Sequence, residues 1–288
     1  METSIPRKSP RVLSRRGALR LIAAGMAGSF AHARWVEPSL LSITRREIRC
    51  RQLPPALDGL RVGLMADFHF HPGTDDEVVQ AAVSQVNREN LDLLALSGDF
   101  ADHDGAVLGP LMEHLGKANT AHGVFAVMGN HDGWCSGPHL TSRSFEKAGI
   151  SFLINQHSQL TIRGETLAIA GTDFVWHGKP DPKKTLAIRA DTPVIALVHE
   201  PDYFDEMTRH RDIMLQLSGH THGGQCRVPG IGYAPAKVRF GKKYIEGEYA
   251  RDTSKIFVTR GVGTTGLRVR FACPPELAVL TLRSGSLA

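Results

Sequence analysis

The sequence predicts an α/β fold in which a sheet of buried strands is covered by helices on both faces. Three observations support this prediction. Short apolar runs rich in valine, isoleucine and leucine recur along the 288-residue chain, as buried strands require. Segments with helical spacing of apolar residues separate several of these runs. Polar side chains able to bind metal directly follow most of the runs, where ligand sites occur in such sheets.

The predicted strands begin after residue 60 and recur through most of the remaining chain. Each is a short run dominated by apolar side chains, which is the length typical of a strand rather than a helix. In chain order they are 61–66, 91–96, 123–128, 167–170, 194–198, 213–217 and 256–259. Glycines follow several of them, as sharp turns and close backbone approach require.

Three segments are helix candidates. Residues 75–87 begin with acidic side chains, which favour a helix N-terminus, and carry apolar residues at helical spacing. Residues 107–117 and 141–148 are candidates as well. By contrast, residues 223–247 are rich in glycine and proline, which predicts irregular loop and hairpin.

The first 33 residues have the features of an export signal. Adjacent Arg15 and Arg16 precede a mildly apolar run, and a small-x-small motif ends at Ala33. This order is typical of a secretory leader, and the paired arginines indicate the bacterial twin-arginine route. We therefore expect an exported protein, in the periplasm or on the outer face of the cytoplasmic membrane. The alternatives are a leader that stays uncleaved as a membrane tether and an amphipathic helix that belongs to the protein.

Residues 34–59 form a flank between this leader and the main domain, which we assign to 60–288. The flank mixes leucine and isoleucine with several arginines. It either contacts a membrane surface or enters the fold as a strand with an exposed basic face, and the sequence favours the strand.

The excess positive charge of the chain belongs to its N-terminus. The full sequence has 34 basic and 29 acidic residues, for a net charge of +5. Residues 1–33 contain six of the basic residues and one acidic residue, so the rest of the chain is formally neutral. A neutral body has no general attraction to a phosphate backbone, which argues against nucleic acid as a partner.

The cysteines do not form a C-x-x-C pair, so a zinc knuckle is not expected. In an exported protein four cysteines could form two disulfides, whereas a core of this size needs none. The sequence leaves both states open. The four are Cys50, Cys135, Cys226 and Cys273.

Seven side chains that suit metal binding follow the predicted strands. Carboxylate, imidazole and amide oxygen are donors that suit Mn²⁺, Fe²⁺ or Zn²⁺. Any one of them would be an ordinary cap or surface group, but five segments are expected to converge at one edge of the sheet. The seven are Asp67, His69, Asp99, Asn130, His199, His220 and His222. Within the pairs 67/69 and 220/222, alternation along an extended chain places both side chains on one side.

The motifs around these residues resemble those of the calcineurin-like metallophosphoesterases. They are D-F-H at 67–69, G-D-F-A-D at 98–102, G-N-H-D at 129–132, the lone His199 and G-H-T-H-G-G-Q at 219–225. In detail they are similar to the YkuE-like subgroup of exported bacterial phosphoesterases, whose members often carry twin-arginine leaders. His103 stands where the protein phosphatases of the family have arginine, which argues against a protein phosphatase.

The resemblance implies a four-layer α-β-β-α sandwich of two mixed β-sheets flanked by helices. It also implies two divalent metal ions joined by a shared carboxylate, that of Asp99. The ligands of one ion would be Asp67, His69 and His222. The ligands of the other would be Asn130, His199 and His220.

The resemblance further implies a hydrolase in which a hydroxide bridging the two metal ions attacks phosphorus. His131 would face the substrate and assist the leaving group, and Asp102 would orient His131. Acid–base catalysis of this kind is worth about 10²–10⁴-fold.

The preferred substrate is a phosphodiester or pyrophosphate with a lipid or cell-envelope component, and a UDP-diacylglucosamine type is one candidate. This follows from the predicted export, the flank and the subgroup resemblance. The alternatives are a phosphomonoesterase or nucleotidase on the same metals, and a metal-stabilised envelope-binding protein without catalysis. His131 and Asp102 argue against the binding protein, because neither is needed to hold metal.

Charged residues outside the motifs have weaker assignments. Glu200, next to His199, is expected to face solvent. Five cations either hold an anionic head group or are solvated surface charges, which is the more common fate. They are Arg239, Lys242, Lys243, Arg268 and Arg270.

Overall fold

A computed structural model describes residues 14–232, 234 and 238–285. The start of the predicted leader, with Arg7, Lys8 and Arg11, lies outside the described residues. Within them, two six-stranded sheets form the centre of the molecule.

The first sheet contains strands from both ends of the described chain. These are β1 (Ser42–Cys50), β2 (Leu60–Met65), β3 (Leu93–Ser97), β4 (Val124–Val127), β5 (Ser151–Phe152) and β12 (Glu276–Ser284). Their order in the sheet is β1-β12-β2-β3-β4-β5. The pair β12 and β2 is antiparallel and the other pairs are parallel, so the sheet is mixed.

The second sheet is also mixed. Its strands are β6 (Gln156–Ile162), β7 (Glu165–Gly171), β8 (Val194–Leu197), β9 (Leu215–Ser218), β10 (Gly247–Arg251) and β11 (Ser254–Val258). The order is β10-β11-β9-β8-β7-β6, and the two edge pairs are antiparallel. The inner strands β8, β9 and β11 are buried along their whole length, which suits their mostly apolar sequences.

Seven α-helices lie among the described residues. They are α1 (Arg15–Ala31), α2 (Asp76–Arg88), α3 (Leu108–Leu115), α4 (Asn130–Cys135), α5 (Gly137–Lys147), α6 (Pro182–Thr185) and α7 (Phe204–His210). In α2 the acidic first turn and the buried Val79 and Val83 follow the predicted pattern. The helix α5 begins earlier than predicted because Pro138 fits a first helical turn.

The facing sides of the two sheets form the central core. Leu64 and Phe125 of the first sheet belong to the same buried cluster as Ile195 and Leu217 of the second. Burial of a side chain of this size stabilises a fold by about 1.5–3 kcal/mol.

Helices cover the outer faces of both sheets. Leu111 of α3 and Phe145 of α5 join a cluster on the first sheet, and Met207 of α7 joins one on the second. The layers are helix, sheet, sheet and helix, so the predicted four-layer fold is confirmed.

The N-terminal helix α1 buries none of its residues. Directly after it, the buried Ala33 accepts a hydrogen bond from the backbone amide of Arg270 at 3.0 Å. The carboxylate of Glu37 accepts hydrogen bonds from the backbone amides of Ala272 and Cys273. The body of the fold therefore holds the chain from Ala33 onward. No helix in the described part of the chain combines the length and hydropathy needed to cross a bilayer.

Several elements differ from the sequence prediction. In the flank 34–59, β1 pairs with β12 along its whole length, as the favoured interpretation expects. The edge strand β6 was not predicted, because an edge strand with one exposed face has few apolar residues. The four cysteines are free thiols in this structure.

Candidate metal centre

The seven predicted ligands lie beyond the carboxyl ends of strands from both sheets, and all seven are buried. The loops after β2 and β3 carry Asp67, His69 and Asp99, and Asn130 is the first residue of α4, which follows β4. The loops after β8 and β9 carry His199, His220 and His222. Two sheets, rather than the one edge that the sequence predicts, therefore supply the site.

Five of the seven have a left-handed backbone. Their φ angles are 53° for Asp67, 39° for His69, 55° for Asp99, 73° for His220 and 50° for His222. The prediction that strand alternation aligns the paired side chains is wrong, because β2 ends at Met65 and β9 at Ser218. A left-handed L-residue costs roughly 1–2 kcal/mol, which the surrounding contacts must offset.

Asp67, His69 and His222 form one group that could hold a metal ion. The Nδ1 atom of His69 lies 3.1 Å from Oδ1 of Asp102, so Nδ1 carries the hydrogen and donates to the carboxylate. The Nε2 atom of His69 lies 3.0 Å from Nε2 of His222. Burial and the neighbouring His69 lower the pKa of His222 well below its ordinary value, which keeps that ring neutral.

Asp99, His199 and His220 form a second such group. His199 Nδ1 lies 2.6 Å from the carbonyl oxygen of Ser97, and His220 Nε2 lies 2.6 Å from that of Arg239. Carbonyls only accept, so both nitrogens carry hydrogens. In neutral rings the lone pairs of His199 Nε2 and His220 Nδ1 then face each other at 3.2 Å. Metal-binding histidines generally have this outer hydrogen bond and inner lone pair.

Asp99, a member of the second group, also reaches the first. Its Oδ2 atom is 3.1 Å from His199 Nε2 and 3.5 Å from His69 Nε2. Its Oδ1 atom accepts a hydrogen bond from the backbone amide of His131 at 2.9 Å. Burial opposes its negative charge, but the charge and hydrogen bond of His199 outweigh burial and lower the pKa of Asp99 below its usual range. An ionised carboxylate therefore contacts both groups.

The donor atoms fit two divalent metal ions. Among the described residues, no hydrogen-bond donor reaches Asp67 Oδ2 or Asn130 Oδ1, although both atoms are buried. Such an unpaired atom costs about 1–3 kcal/mol. Burial opposes protonation of His199, but the carboxylates of Asp99 and Asp67 raise its pKa to about 10, so a cation would compete with a proton there. The mixture of nitrogen and oxygen donors suits Mn²⁺, Fe²⁺ or Zn²⁺.

His131 lies beside the two groups with one ring nitrogen engaged. Its Nδ1 atom is 3.0 Å from both Oδ1 and the backbone oxygen of Asp102. Burial disfavours the charged ring, but the hydrogen bond to Asp102 and the charge of Asp99 raise the pKa of His131 to about 9. The orienting contact between Asp102 and His131 is therefore present. Asp102 also binds His69, a contact that the sequence did not indicate.

Two glycines allow the loops to approach one another. A Cβ atom on Gly98 would lie 2.6 Å from the backbone nitrogen of Gly129 and 2.7 Å from Nδ1 of His199. Gly98 also has a φ of 87°. Any larger residue there would collide with the ring of His199 and with the backbone of Gly129.

Asp132, the last residue of the G-N-H-D motif, has a structural role that the motif itself does not indicate. Asp132 is buried, and its carboxylate accepts hydrogen bonds from four backbone amides at 2.8–3.1 Å. The donors are Asp99, Phe100, Ala101 and Gly129. The carboxylate thus ties the loop after β3 to the start of α4. The motif contained the residue, but only the structure identifies its partners.

The expectation that Glu200 faces solvent is wrong. Glu200 is fully buried, and Oε1 accepts hydrogen bonds from the backbone amides of Val175 at 2.9 Å and Trp176 at 2.8 Å. A carboxylate in this position fixes the loop that follows β7. The signal in the sequence was a charged residue next to His199 and close to the end of the buried strand β8.

The five predicted cations have different environments. Arg270 is fully buried and donates to four backbone carbonyls, so it neither faces a head group nor lies on the surface as predicted. Arg268 and Lys243 pair with carboxylates. The guanidinium of Arg239 is exposed and lies 5.9 Å from the ring centre of Trp176.

A cleft of about 290 Å³ opens onto the two groups. Its walls include candidate ligands together with His131, Trp176, Gln225 and Thr265. An anionic ester could therefore reach the candidate metal positions from solvent.

Comparison with known proteins gives consistent results. A family model described as calcineurin-like phosphoesterase matches residues 60–224. The chain is 33% identical over 276 residues to the uncharacterized metallophosphoesterase YkuE of Bacillus subtilis, across 93% of this chain and 94% of that protein. It is 32% identical over 286 residues to the phosphodiesterase YaeI of Escherichia coli, across 94% of this chain and 100% of that protein.

Proposed function

This chain belongs to the calcineurin-like phosphoesterase family and is a metallophosphoesterase, and on that premise we propose that it hydrolyses a phosphodiester or pyrophosphate with two divalent metal ions. One observation carries the proposal. Imidazole nitrogens from both candidate groups, those of His199 and His69, converge on one oxygen of the ionised carboxylate of Asp99. The description of YaeI as a phosphodiesterase supports the diester class.

We propose that the seven donors divide into two sets that share Asp99. The first set is Asp67, His69 and His222. The second set is Asn130, His199 and His220. When bound, two such ions supply Lewis acidity that offsets the negative charge of the ester and activates water. Mn²⁺, Fe²⁺ and Zn²⁺ are the candidates because of the donor types.

The residues of the chain then orient the ester and move a proton. The contact of His131 Nδ1 with Asp102 leaves Nε2 as the ring nitrogen free for substrate. We propose that this Nε2–H donates to the leaving oxygen, so that a diester releases a neutral alcohol and a pyrophosphate releases a phosphate with one negative charge fewer. Asp102 holds the ring in the orientation and tautomer that this transfer requires.

We also propose that the substrate carries a lipid or cell-envelope component and that the protein is exported by the twin-arginine route. In this proposal residues 1–33 are the leader, 34–59 the flank and 60–288 the catalytic domain. Support comes from the basic N-terminus and from the exposed apolar side chains Leu21, Ile22 and Met26 of α1. These features suit attraction to an anionic membrane surface, either at the outer face of the cytoplasmic membrane or during passage to the periplasm.

A substrate panel and one substitution test the catalytic proposal. The full chain loaded with Mn²⁺, Fe²⁺ or Zn²⁺ is assayed against a phosphomonoester, a phosphodiester and a nucleoside diphosphate lipid. We expect turnover of the diester or the diphosphate, and His131→Ala should lower kcat by about 10²–10⁴-fold because the leaving oxygen loses its proton donor. Metal content, measured by elemental analysis, should stay unchanged.

The matched control is His139→Ala, since His139 is exposed on α5 away from the cleft. This variant should keep full activity. Equal activity of His131→Ala and the wild type would contradict the assignment of His131. Turnover of the monoester alone would mean that the protein is a phosphomonoesterase or nucleotidase and not a phosphodiesterase. No turnover with any metal would favour a binding protein.

A further inference from the structure

We infer that Trp134 and Trp176 form a subsite for a planar aromatic group of the substrate, such as a nucleobase, beside the metal centre. We call these two side chains the aromatic corner. The inference rests on the proposed function, because it names the class of ester that the same cleft would take. It concerns a part of the substrate that does not react.

The aromatic corner adjoins the residues assigned to the chemistry. The ring centre of Trp134 lies 4.9 Å from that of His131, and the ring centre of Trp176 lies 6.2 Å from that of His220. The two tryptophan rings are 5.1 Å apart at an interplanar angle of 87°. Rings at a right angle leave a corner in which a planar group can lie on one ring and meet the edge of the other.

The corner is held in place before any ligand binds. Glu200, which follows the candidate ligand His199, is buried and accepts hydrogen bonds from the backbone amides of Val175 and Trp176. On the other side, Gly133 lies so close to the ring of Phe174 that no larger side chain would fit. The helix that carries Trp134 and the loop that carries Trp176 are therefore locked together.

The exposure of the corner distinguishes it from ordinary core packing. Trp134 is 48% exposed, and Trp176 lines the cleft in front of the metal centre. A large aromatic surface left open next to an anion site is available for stacking on a ligand. Prearranged side chains of this kind raise affinity because little rotamer freedom is lost on binding.

Aromatic side chains commonly bind either a quaternary ammonium group or a nucleobase, and the charge of Arg239 favours a nucleobase that carries phosphate. Its guanidinium lies 5.9 Å from the ring centre of Trp176 and 4.8 Å from that of Phe240. Among the described residues, no carboxylate forms a salt bridge with it. The backbone oxygen of Arg239 accepts a hydrogen bond from Nε2 of His220, which fixes the segment that carries Arg239 beside the metal centre. A neighbouring positive charge repels a quaternary ammonium group and attracts phosphates, so the corner favours a nucleobase that carries phosphate.

A binding experiment tests the subsite without relying on turnover. The Mn²⁺-loaded full chain is titrated calorimetrically with adenosine 5′-monophosphate and with ribose 5-phosphate, which differ only in the base. We expect about a 10-fold tighter Kd for the nucleotide, the scale that stacking of one base on an aromatic side chain gives. Trp134→Leu and Trp176→Leu should remove most of this preference and leave the Kd of ribose 5-phosphate unchanged.

Trp35→Leu is the matched control, because Trp35 is exposed at the N-terminal segment and should leave both affinities unchanged. The conservative Trp176→Phe should keep most of the preference, which shows that a loss in Trp176→Leu reflects the ring and not misfolding. Equal affinities of the wild type for the two phosphates, or tighter binding of phosphocholine than of the nucleotide, would overturn the subsite. Diester turnover in that same preparation would show that the proposed function stands without the subsite. A chain inactive on every diester would mean that the proposed function has failed.

Discussion

At the scale of single residues, the candidate centre depends on carboxylates whose partners are backbone amides and imidazoles rather than cationic side chains. Asp132 accepts four backbone hydrogen bonds, and Glu200 accepts two. Each carboxylate accepts hydrogen bonds from buried backbone amides of a loop, and these amides would otherwise be unpaired. These residues shape the site without belonging to the donor set.

Asp132→Asn should destabilise the fold. The amide keeps one acceptor oxygen and turns an NH₂ group toward two backbone amides that also donate, so at least two hydrogen bonds are lost. We expect the free energy of unfolding to fall by about 3 kcal/mol, measured by urea denaturation of the metal-free protein.

Asp191→Asn is the control for this change. Asp191 is exposed and pairs with Arg189 on the surface, so its replacement should alter stability by less than about 1 kcal/mol. An Asp132→Asn protein as stable as Asp191→Asn would mean that the carboxylate does not hold the loop.

At the scale of secondary-structure elements, α1 differs from every other helix by its lack of burial. The helices α2, α3 and α5 bury apolar side chains against the first sheet, whereas α1 leaves Leu21, Ile22 and Met26 in solvent. Exposed apolar side chains on a helix that buries nothing suit a second environment, which in our proposal is a membrane surface.

The double substitution Ile22→Asp with Met26→Asp tests this role of α1. The two residues are one helical turn apart and are 59% and 69% exposed, so the change should not disturb the core. We expect the full chain to float with vesicles that contain anionic phosphatidylglycerol. The double variant should bind at least about 10-fold more weakly, because two apolar side chains no longer enter the lipid.

Leu140→Asp provides the same chemical change on α5, where the side chain is 51% exposed. Vesicle binding of that variant should match the wild type. If the α1 variant also bound as well as the wild type, contact of α1 with the membrane would be excluded.

At the scale of the whole molecule, the centre joins the two sheets. The segments that follow strands of the first sheet contribute Asp67, Asp99 and Asn130, and those that follow strands of the second contribute His199 and His220. In the metal-free protein burial raises the pKa of Asp67 to about 6, and burial with the nearby His199 lowers that of His220 to about 3. A cation would neutralise the buried charge and bind both sheets at once.

Metal binding should therefore raise thermal stability. At about a thousandfold excess over Kd, one site contributes roughly 4 kcal/mol, which corresponds to a Tm increase of about 8–16 °C for a domain of this size. The measurement is differential scanning calorimetry of the EDTA-treated protein before and after addition of Mn²⁺ or Zn²⁺. Asp99→Asn should show less than half of the increase, because the shared carboxylate is lost.

Asp173→Asn is the control, since the carboxylate of Asp173 caps its own loop through the amides of Phe174 and Lys179. It should respond to metal like the wild type. A Tm that does not change on addition of metal would contradict a dinuclear centre.

Much of the fold was predictable because strand and helix patterns are local. The runs that became β2, β3, β4, β8 and β9 consist mostly of apolar residues, and α2 has both an acidic start and a buried stripe. Edge elements such as β6 were missed because one exposed face weakens the pattern. The short helix α4 was missed because it begins within the polar G-N-H-D motif.

The sequence by itself determined the α/β class, the neutral body and the donor types that follow the strands, since these depend on residue identity and spacing. Only the tertiary structure decided where the donor atoms meet in space and which of the donor residues have a left-handed backbone. It also decided that Glu200 and Arg270 are buried and that Trp134 meets Trp176. The physical reason is that left-handed loops set the direction of each side chain, and such backbone conformations are stabilised by contacts between segments far apart in the chain.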